Sequence, residues 1–168
     1  MDMSGETALE ASREKVWAAL NDPAVLKAAI PGCEALEKVS DNEFTATVVT
    51  KVGPIKAKFS GRVTLSDIVA PVSYTIGGEG QGGIAGFAKG GADVVLDEID
   101  AGRTLLRYTV KAQVGGKIAQ LGARLVDSTA KKLSGQFFER LGAIVEGRQP
   151  VAASPDGAKT MQNLGSEP

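Results

Sequence analysis

Apolar residues recur every three or four positions along residues 117–145, so that they form one stripe on a helix of about eight turns. The stripe consists of Ile118, Leu121, Leu125, Thr129, Leu133, Phe137, Leu141 and Ile144. Most charged residues of this stretch fall off the stripe, which leaves the opposite side free to face water. Glycines stand directly before the stretch, at 115 and 116, and directly after it, at 147. The pattern predicts a long C-terminal helix that needs a partner surface of similar length.

A period of two replaces the helical period between residues 33 and 114, as in half-buried strands. Candidate strands cover residues 4–11, 34–39, 43–52, 55–66, 72–78, 92–99 and 104–114, and two short helices follow the first strand at 13–20 and 24–29. Short connections favour a meander, and a twisted sheet with one dry face curls. The sequence therefore predicts an α+β fold, in which a curved antiparallel sheet of about six to seven strands wraps around the C-terminal helix.

Eight glycines interrupt the alternation within residues 77–91. A phosphate-binding loop is disfavoured here, because no Gly-Lys-Ser/Thr motif follows and no helix is predicted to begin at this point. Two interpretations stay open. The stretch is either a mobile flap at the mouth of a cavity, with Ile84 and Phe87 as its apolar tips, or a bulged edge strand.

The apolar faces of the predicted strands carry an unusual share of small residues. The large inward residues are Val48, Val52, Phe59, Val63, Tyr74, Leu96, Tyr108 and Val110 from the sheet, with Ile118, Leu121 and Leu125 from the helix. Six small residues share the same faces: Ala46, Ala57, Gly61, Gly78, Ala92 and Ala112. Such residues fill less volume than close packing requires, so either the larger ones simply form the core or a hole remains for an apolar ligand. Two inward tyrosines would donate hydrogen bonds to a ligand carbonyl or quinone oxygen, or else to water or backbone.

Composition removes several kinds of chemistry. The 168 residues carry a net charge of −1 and include no histidine and one cysteine, Cys33. Ser-His-Asp triads, Cys-His pairs, His-containing metal sites and intrachain disulfides are therefore excluded, and no metal or cofactor is expected. The balanced charge gives no reason to expect nucleic acid.

Cations cluster on the polar face of two neighbouring strands, at Lys51, Lys56, Lys58 and Arg62. They form either a solvated surface or a docking patch for an acidic partner or anionic lipid headgroups. Glu98 is expected at a strand end as a rim residue rather than a catalytic acid.

The N-terminus lacks the apolar run of a secretory signal, and no stretch approaches the ~18 consecutive apolar residues of a membrane span. The expected location is the cytoplasm, with peripheral contact at the inner face of the membrane left open. One domain over residues 1–147 is expected, followed by a polar, disordered tail over 148–168.

Five ordered motifs resemble the carbon monoxide dehydrogenase CoxG family of the START-like (SRPBCC, helix-grip) superfamily. They are residues 30–34 (IPGCE), 51–56 (KVGPIK), 82–87 (GGIAGF), 115–118 (GGKI) and 121–125 (LGARL), with Gly61 and Phe137-Phe138 in addition. The resemblance implies a helix-grip fold whose cavity, between sheet and final helix, holds a lipophilic ligand such as a quinone or lipid. It also implies service to a CO dehydrogenase or a related molybdenum hydroxylase, in membrane recruitment or electron hand-off.

The residues and the resemblance leave three hypotheses for the function of the protein. The leading hypothesis is a non-enzymatic binding protein for an apolar small molecule. An SRPBCC-type cyclase, aromatase or hydratase would need a cavity-facing acid or base, for which only Tyr74, Tyr108 and Glu98 are candidates. The third hypothesis is a pure assembly module.

Overall fold

Seven antiparallel strands form one sheet in a computed structural model that describes residues 1–148. The strands are β1 (Asp2–Leu9), β2 (Cys33–Ser40), β3 (Glu43–Val52), β4 (Ile55–Val69), β5 (Ser73–Gln81), β6 (Phe87–Asp100) and β7 (Arg103–Gly115), and they lie in the order β1-β7-β6-β5-β4-β3-β2. Two short helices, α1 (Arg13–Leu20) and α2 (Pro23–Ala29), follow β1, and a long helix, α3 (Ala123–Glu146), follows β7. The predicted α+β helix-grip architecture is confirmed. The predicted tail lies almost entirely outside the described residues.

Local signals explain where the short helices begin. The Ser12 side chain accepts a hydrogen bond from the Lys15 amide at the start of α1, as its N-cap position predicts. Asp22 caps α2 in the same manner, and Pro23 occupies the first turn, where a missing N–H costs nothing.

The long helix begins six residues later than the apolar stripe predicts. Residues 119–121 form a separate turn of 3-10 helix, and Gly122 adopts φ +99° and ψ 150° before α3 starts at Ala123. That backbone conformation is accessible almost solely to glycine and cannot continue an α-helix. The single helix predicted over 117–145 is therefore wrong in its first turns, although its C-terminal end at Gly147, in the left-handed conformation, is confirmed.

The glycine-rich stretch is mostly regular sheet. The strand β5 continues to Gln81 and β6 begins at Phe87, so that only residues 82–86 form the connection, which contains a short 3-10 turn, Gly83–Ala85. Both strands lie in the middle of the sheet. The edge-strand interpretation of residues 77–91 is therefore wrong.

The interior consists of two separate apolar clusters. The main core lies between one end of the sheet, the two short helices and the C-terminal half of α3, and includes Leu9, Val16, Leu96, Leu106 and Leu141. Thr104 is fully buried there, and its hydroxyl donates a hydrogen bond of 2.8 Å to the Ala11 carbonyl. The second cluster lies at the other end and is built from Val52, Ala57, Ala85 and Ile118, with Ile55, Phe59, Val114, Leu121 and Leu125 packed against them.

Candidate functional site

Strand register brings the small residues of the inner face into two adjacent rows. In one row Val63 pairs with Gly78, Gly78 with Gly90, and Gly90 with Ala112. In the next row Ala46 pairs with Gly61, Gly61 with Gly80, and Gly80 with Ala88. Because neither row carries a side chain larger than valine, the middle of the inner face leaves space that close packing would otherwise fill.

An apolar cavity of about 370 Å³ lies over these rows. Four of the predicted ligand-binding residues line it: Val48, Phe59, Val63 and Val110. Arg62, Glu79 and Lys89 also border it, but strand alternation directs their side chains to the opposite, outer face, so that they contribute backbone. The volume is of the size that binds small ligands, and its walls suit a hydrophobic one.

The helix α3 is held mainly at its two ends. Its C-terminal half packs into the main core through Phe137, Leu141 and Val145, while Leu125 joins the second cluster at the other end. No residue between 126 and 136 is fully buried. Strand residues alone line the cavity, so the middle of α3 supplies none of its walls.

Three loops meet beneath the second cluster. A β-carbon added to Gly53, in the β3–β4 turn, would lie 2.7 Å from Leu125 Cδ2, and one added to Gly82 would lie 2.7 Å from the Phe59 ring. The backbone of Gly86 packs directly on Gly115 and Gly116. A side chain at Gly86 or Gly116 would overlap backbone atoms, so both positions require glycine. The contacts of Gly53 and Gly86 join four of the family-like motifs at the end of the cavity.

The remaining predicted site residues lie in other places. Val52, Ile118, Leu121 and Leu125 belong to the second cluster, whereas Tyr74 and Leu96 are buried in the main core, and Tyr108 packs against it. Ile84 is 84% exposed and borders no part of the cavity. Phe87 pairs with Gln81 and Gly115, which places it on the outer face of the sheet. The structure thus does not bring Ile84 and Phe87 together with the other predicted residues.

Both tyrosines pack against aromatic rings rather than line the cavity. Tyr74 meets Trp17 edge to face at 5.3 Å between ring centroids, and its burial raises the pKa of the phenol well above its usual value. Tyr108 stacks on Phe138 at 4.9 Å, with its hydroxyl over Gly5. Their packing favours a structural role for both rings.

Four inward-facing residues of the cavity lie outside the predicted set: Ile76, Gly80, Ala88 and Gly90. Their common signal was available, because the two-residue alternation of β4 continues through β5 and β6 and places each of them inward. Glycines break an alternating pattern, but within a strand they also mark places where space is left open.

Charged groups lie on the outer surface. Lys58 pairs with Glu34 at 3.4 Å and Arg62 with Glu43 at 2.7 Å, while Glu98, at its strand end, pairs with Arg13 at 3.6 Å. Partial burial raises the pKa of the Cys33 thiol, which donates a hydrogen bond to the Ala35 carbonyl.

Two larger grooves, of about 640 and 660 Å³, lie on the outer face among charged and polar side chains. Their polar walls suit an apolar ligand less well than the inner cavity does. Within residues 1–148, no group of acidic, histidine or cysteine side chains is arranged to hold a metal ion, and no helix is long and apolar enough to cross a bilayer.

A family model described as the CoxG subunit of carbon monoxide dehydrogenase matches residues 5–145. No curated protein matches the sequence. Among solved structures, a conserved protein from Geobacillus kaustophilus is 31% identical, with a TM-score of 0.82 over 88% of this chain and 96% of that chain.

Two more distant structures share the fold. A START superfamily protein from Mycobacterium smegmatis is 14% identical, with a TM-score of 0.67 over 87% of this chain and 97% of its own. The Zhui aromatase/cyclase from Streptomyces sp. R1128 is 15% identical, with a TM-score of 0.65 over 92% and 98%. At these identities, both structures are similar to this chain in fold alone.

Proposed function

The chain belongs to the carbon monoxide dehydrogenase CoxG family, and from that premise we propose that it binds a lipophilic small molecule without transforming it. The ligand, a quinone or a lipid, occupies the cavity between the inner face of the sheet and α3. The observation that carries this proposal is the apolar cavity of about 370 Å³ over two rows of small residues. Burial of apolar ligand surface there contributes about 25 cal/mol per Å² removed from water.

The chemistry of the inner face supports binding rather than turnover. General acid–base catalysis needs a proton donor or acceptor within hydrogen-bond reach of the substrate. The cavity walls consist of alanine, glycine, valine, isoleucine and phenylalanine, together with the backbone of residues whose charged side chains face outward. Glu98 instead pairs with Arg13 at a strand end in the main-core half of the sheet.

The proposed partner is a CO dehydrogenase or a related molybdenum hydroxylase. A protein that encloses a quinone would serve such an enzyme by electron hand-off, and one that encloses a lipid would serve it by membrane recruitment. The proposed place of action is the cytoplasm, with peripheral contact at the inner face of the membrane. Co-purification of the chain with the hydroxylase would support this assignment, as would the loss of co-purification in a variant whose cavity is filled.

Filling the cavity from the sheet tests ligand binding directly. Ala112→Leu adds three carbons to the row that also contains Val63, Gly78 and Gly90. These carbons displace ligand from a small cavity, where each buried methylene contributes about 0.8 kcal/mol. We therefore expect the amount of ligand retained on purification to fall at least about tenfold. Native mass spectrometry and solvent extraction measure the retained ligand.

The matched control is Thr109→Leu, which places the same leucine side chain on the exposed outer face of the same strand. It should retain the ligand at the level of the unmodified protein. An empty cavity in the unmodified protein, or conversion of an aromatic or polyketide-like compound by it, would contradict the proposal.

A further inference from the structure

The end of the molecule at the second cluster is rich in cations. Residues 44–66, 80–92 and 110–126, which include the three loops that meet there, contain eight lysines and arginines and no acidic residue. All 20 acidic residues of the chain lie in other segments. Two of the eight cations, Lys58 and Arg62, pair with Glu34 and Glu43, so the excess positive charge rests on the others.

Four of these cations surround the loops themselves, and we call them the basic tip: Lys51, Lys56, Lys117 and Arg124. Lys51 and Lys56 are cross-strand partners on either side of the β3–β4 turn. Lys117 precedes Ile118, whose amide donates a hydrogen bond of 2.9 Å to the Ala85 carbonyl. Arg124 precedes Leu125, which packs on Gly53 in the β3–β4 turn.

The four side chains of the basic tip are exposed, and none forms an ion pair with another residue of the described part of the chain. Lysines placed directly opposite one another on neighbouring strands repel each other. Water and salt screen that repulsion, and an external anionic surface would add attraction to both cations.

One large apolar side chain projects from the same end. Ile84 is 84% exposed, on a loop whose neighbouring Gly83 has open space around it. The loop is nevertheless held firmly, since Ala85 is buried in the second cluster and Gly86 packs on Gly116. The position of Ile84 is therefore set by the fold and not by a loosely attached loop.

We propose that the basic tip and Ile84 dock the protein onto an anionic lipid bilayer, with Ile84 entering the interface and the four cations contacting headgroups. A single apolar side chain on a projecting loop, with cations around it, matches a bilayer interface better than the flat or grooved surface of a protein partner. This inference rests on the proposed function, because a lipophilic ligand must exchange with a membrane. Phe59 both packs in the second cluster and lines the cavity, so the docked end is the end nearest the ligand.

Vesicle co-sedimentation tests the docking surface. The unmodified protein should bind vesicles of phosphatidylcholine with phosphatidylglycerol and should lose this binding at high salt and on pure phosphatidylcholine. Lys51→Glu combined with Lys56→Glu should lower the partition coefficient by about tenfold or more, since each cation near the surface adds about 1 kcal/mol. Ile84→Ser should lower it several-fold.

Matched controls lie elsewhere on the surface. Lys131→Glu with Lys132→Glu makes the same charge change on the exposed side of α3, and Val69→Ser removes a 56% exposed apolar side chain from the end of β4. Both should bind vesicles as the unmodified protein does. Equal losses in the controls, or no binding of the unmodified protein to anionic vesicles, would overturn the proposal.

Ligand retention separates this inference from the proposed function. The variants of the basic tip should keep their ligand in native mass spectra, and Ala112→Leu should lose ligand and still bind vesicles. Vesicle binding without any retained ligand would remove the proposed function while leaving the docking surface intact.

Discussion

The Glu146 side chain ties the start of the chain to the end of α3 by hydrogen bonds. One carboxylate oxygen accepts a hydrogen bond of 2.9 Å from the Glu10 amide, and the other accepts one of 2.6 Å from Arg148. The Glu10 amide, and after it the Arg148 guanidinium, hold the pKa of Glu146 below its usual range. Because the folded state prefers the ionised carboxylate, protonation must weaken this link.

The first prediction concerns this pH dependence. Glu146→Gln should lower the free energy of unfolding by about 1 kcal/mol at pH 7, the lower range for a charged hydrogen bond at a partly exposed site. The carboxylate's contribution is fully present above the unfolded glutamate pKa of about 4.3 and is lost as the pH falls through the lower folded value. Urea titrations between pH 7 and pH 3 should therefore show a difference between the two proteins that shrinks as the pH falls below about 4.3. A difference that is the same at pH 7 and pH 3 would mean that side-chain shape, not charge, is responsible.

At the scale of elements, the start of the long helix shows why spacing alone was insufficient. Ile118, Leu121 and Leu125 have the spacing of a helical stripe, and all three are indeed in one apolar cluster. They reach it from a 3-10 turn and a new helix that are separated by Gly122. Apolar spacing reports which residues are buried together, whereas a backbone break at a glycine depends on the contacts that surround it.

The second prediction compares two glycines of this region. Neither Gly122 nor Gly135 has any atom within 4 Å of an added β-carbon, so substitution by alanine changes only backbone energetics. Gly122→Ala should destabilise by about 1–3 kcal/mol, because it forces φ +99° on a residue with a side chain. Gly135→Ala, within α3, should stabilise by about 0.5–1 kcal/mol through helix propensity. Urea unfolding measures both, and a neutral Gly122→Ala would show that the helix can start earlier at no cost.

The strands were the most predictable elements. Alternation correctly assigned the inner face of β3, β4 and β7, and it also put Ala46, Gly61, Gly78 and Ala112 on that face. Alternation does not predict the full extent of β5 and β6, because glycines have low strand propensity. In the folded sheet those same glycines are paired on both sides, and tertiary pairing outweighs their local preference.

At the scale of the whole molecule, the cavity depends on cross-strand register that no single segment encodes. Small residues of four strands become neighbours only when β4, β5, β6 and β7 pair in the observed register. The sequence could therefore predict that a hole exists but not all of its walls. It also could not predict that Phe87 faces outward and that Ile84 is exposed to solvent. Residues 82–86 contain three glycines, which leave the direction of the apolar side chains in and after this connection open.

The last prediction contrasts the C-terminal half of α3, in the main core, with the second cluster, which contains Leu121 from the 3-10 turn before α3. Phe137 contacts Phe138 and packs against the main core. Phe137→Ala should therefore lower the free energy of unfolding by about 3 kcal/mol, the lower end of the range for phenylalanine, because the side chain is half-buried. Leu121 packs in the second cluster with Phe59, which lines the cavity. In Leu121→Trp the larger ring should push Phe59 into the cavity, so that ligand retention falls at a cost of only about 1 kcal/mol in stability.

Urea unfolding and native mass spectrometry on both variants separate the two effects. Because ligand adds to apparent stability, unfolding is compared after the ligand has been extracted. Phe137→Ala should then be much less stable and still take up ligand below its unfolding midpoint, whereas Leu121→Trp should be nearly as stable as the unmodified protein and stay empty. If both variants lost stability and ligand to the same extent, the main core and the second cluster would act as one packing unit. The distinction between a folding end and a ligand end would then be wrong.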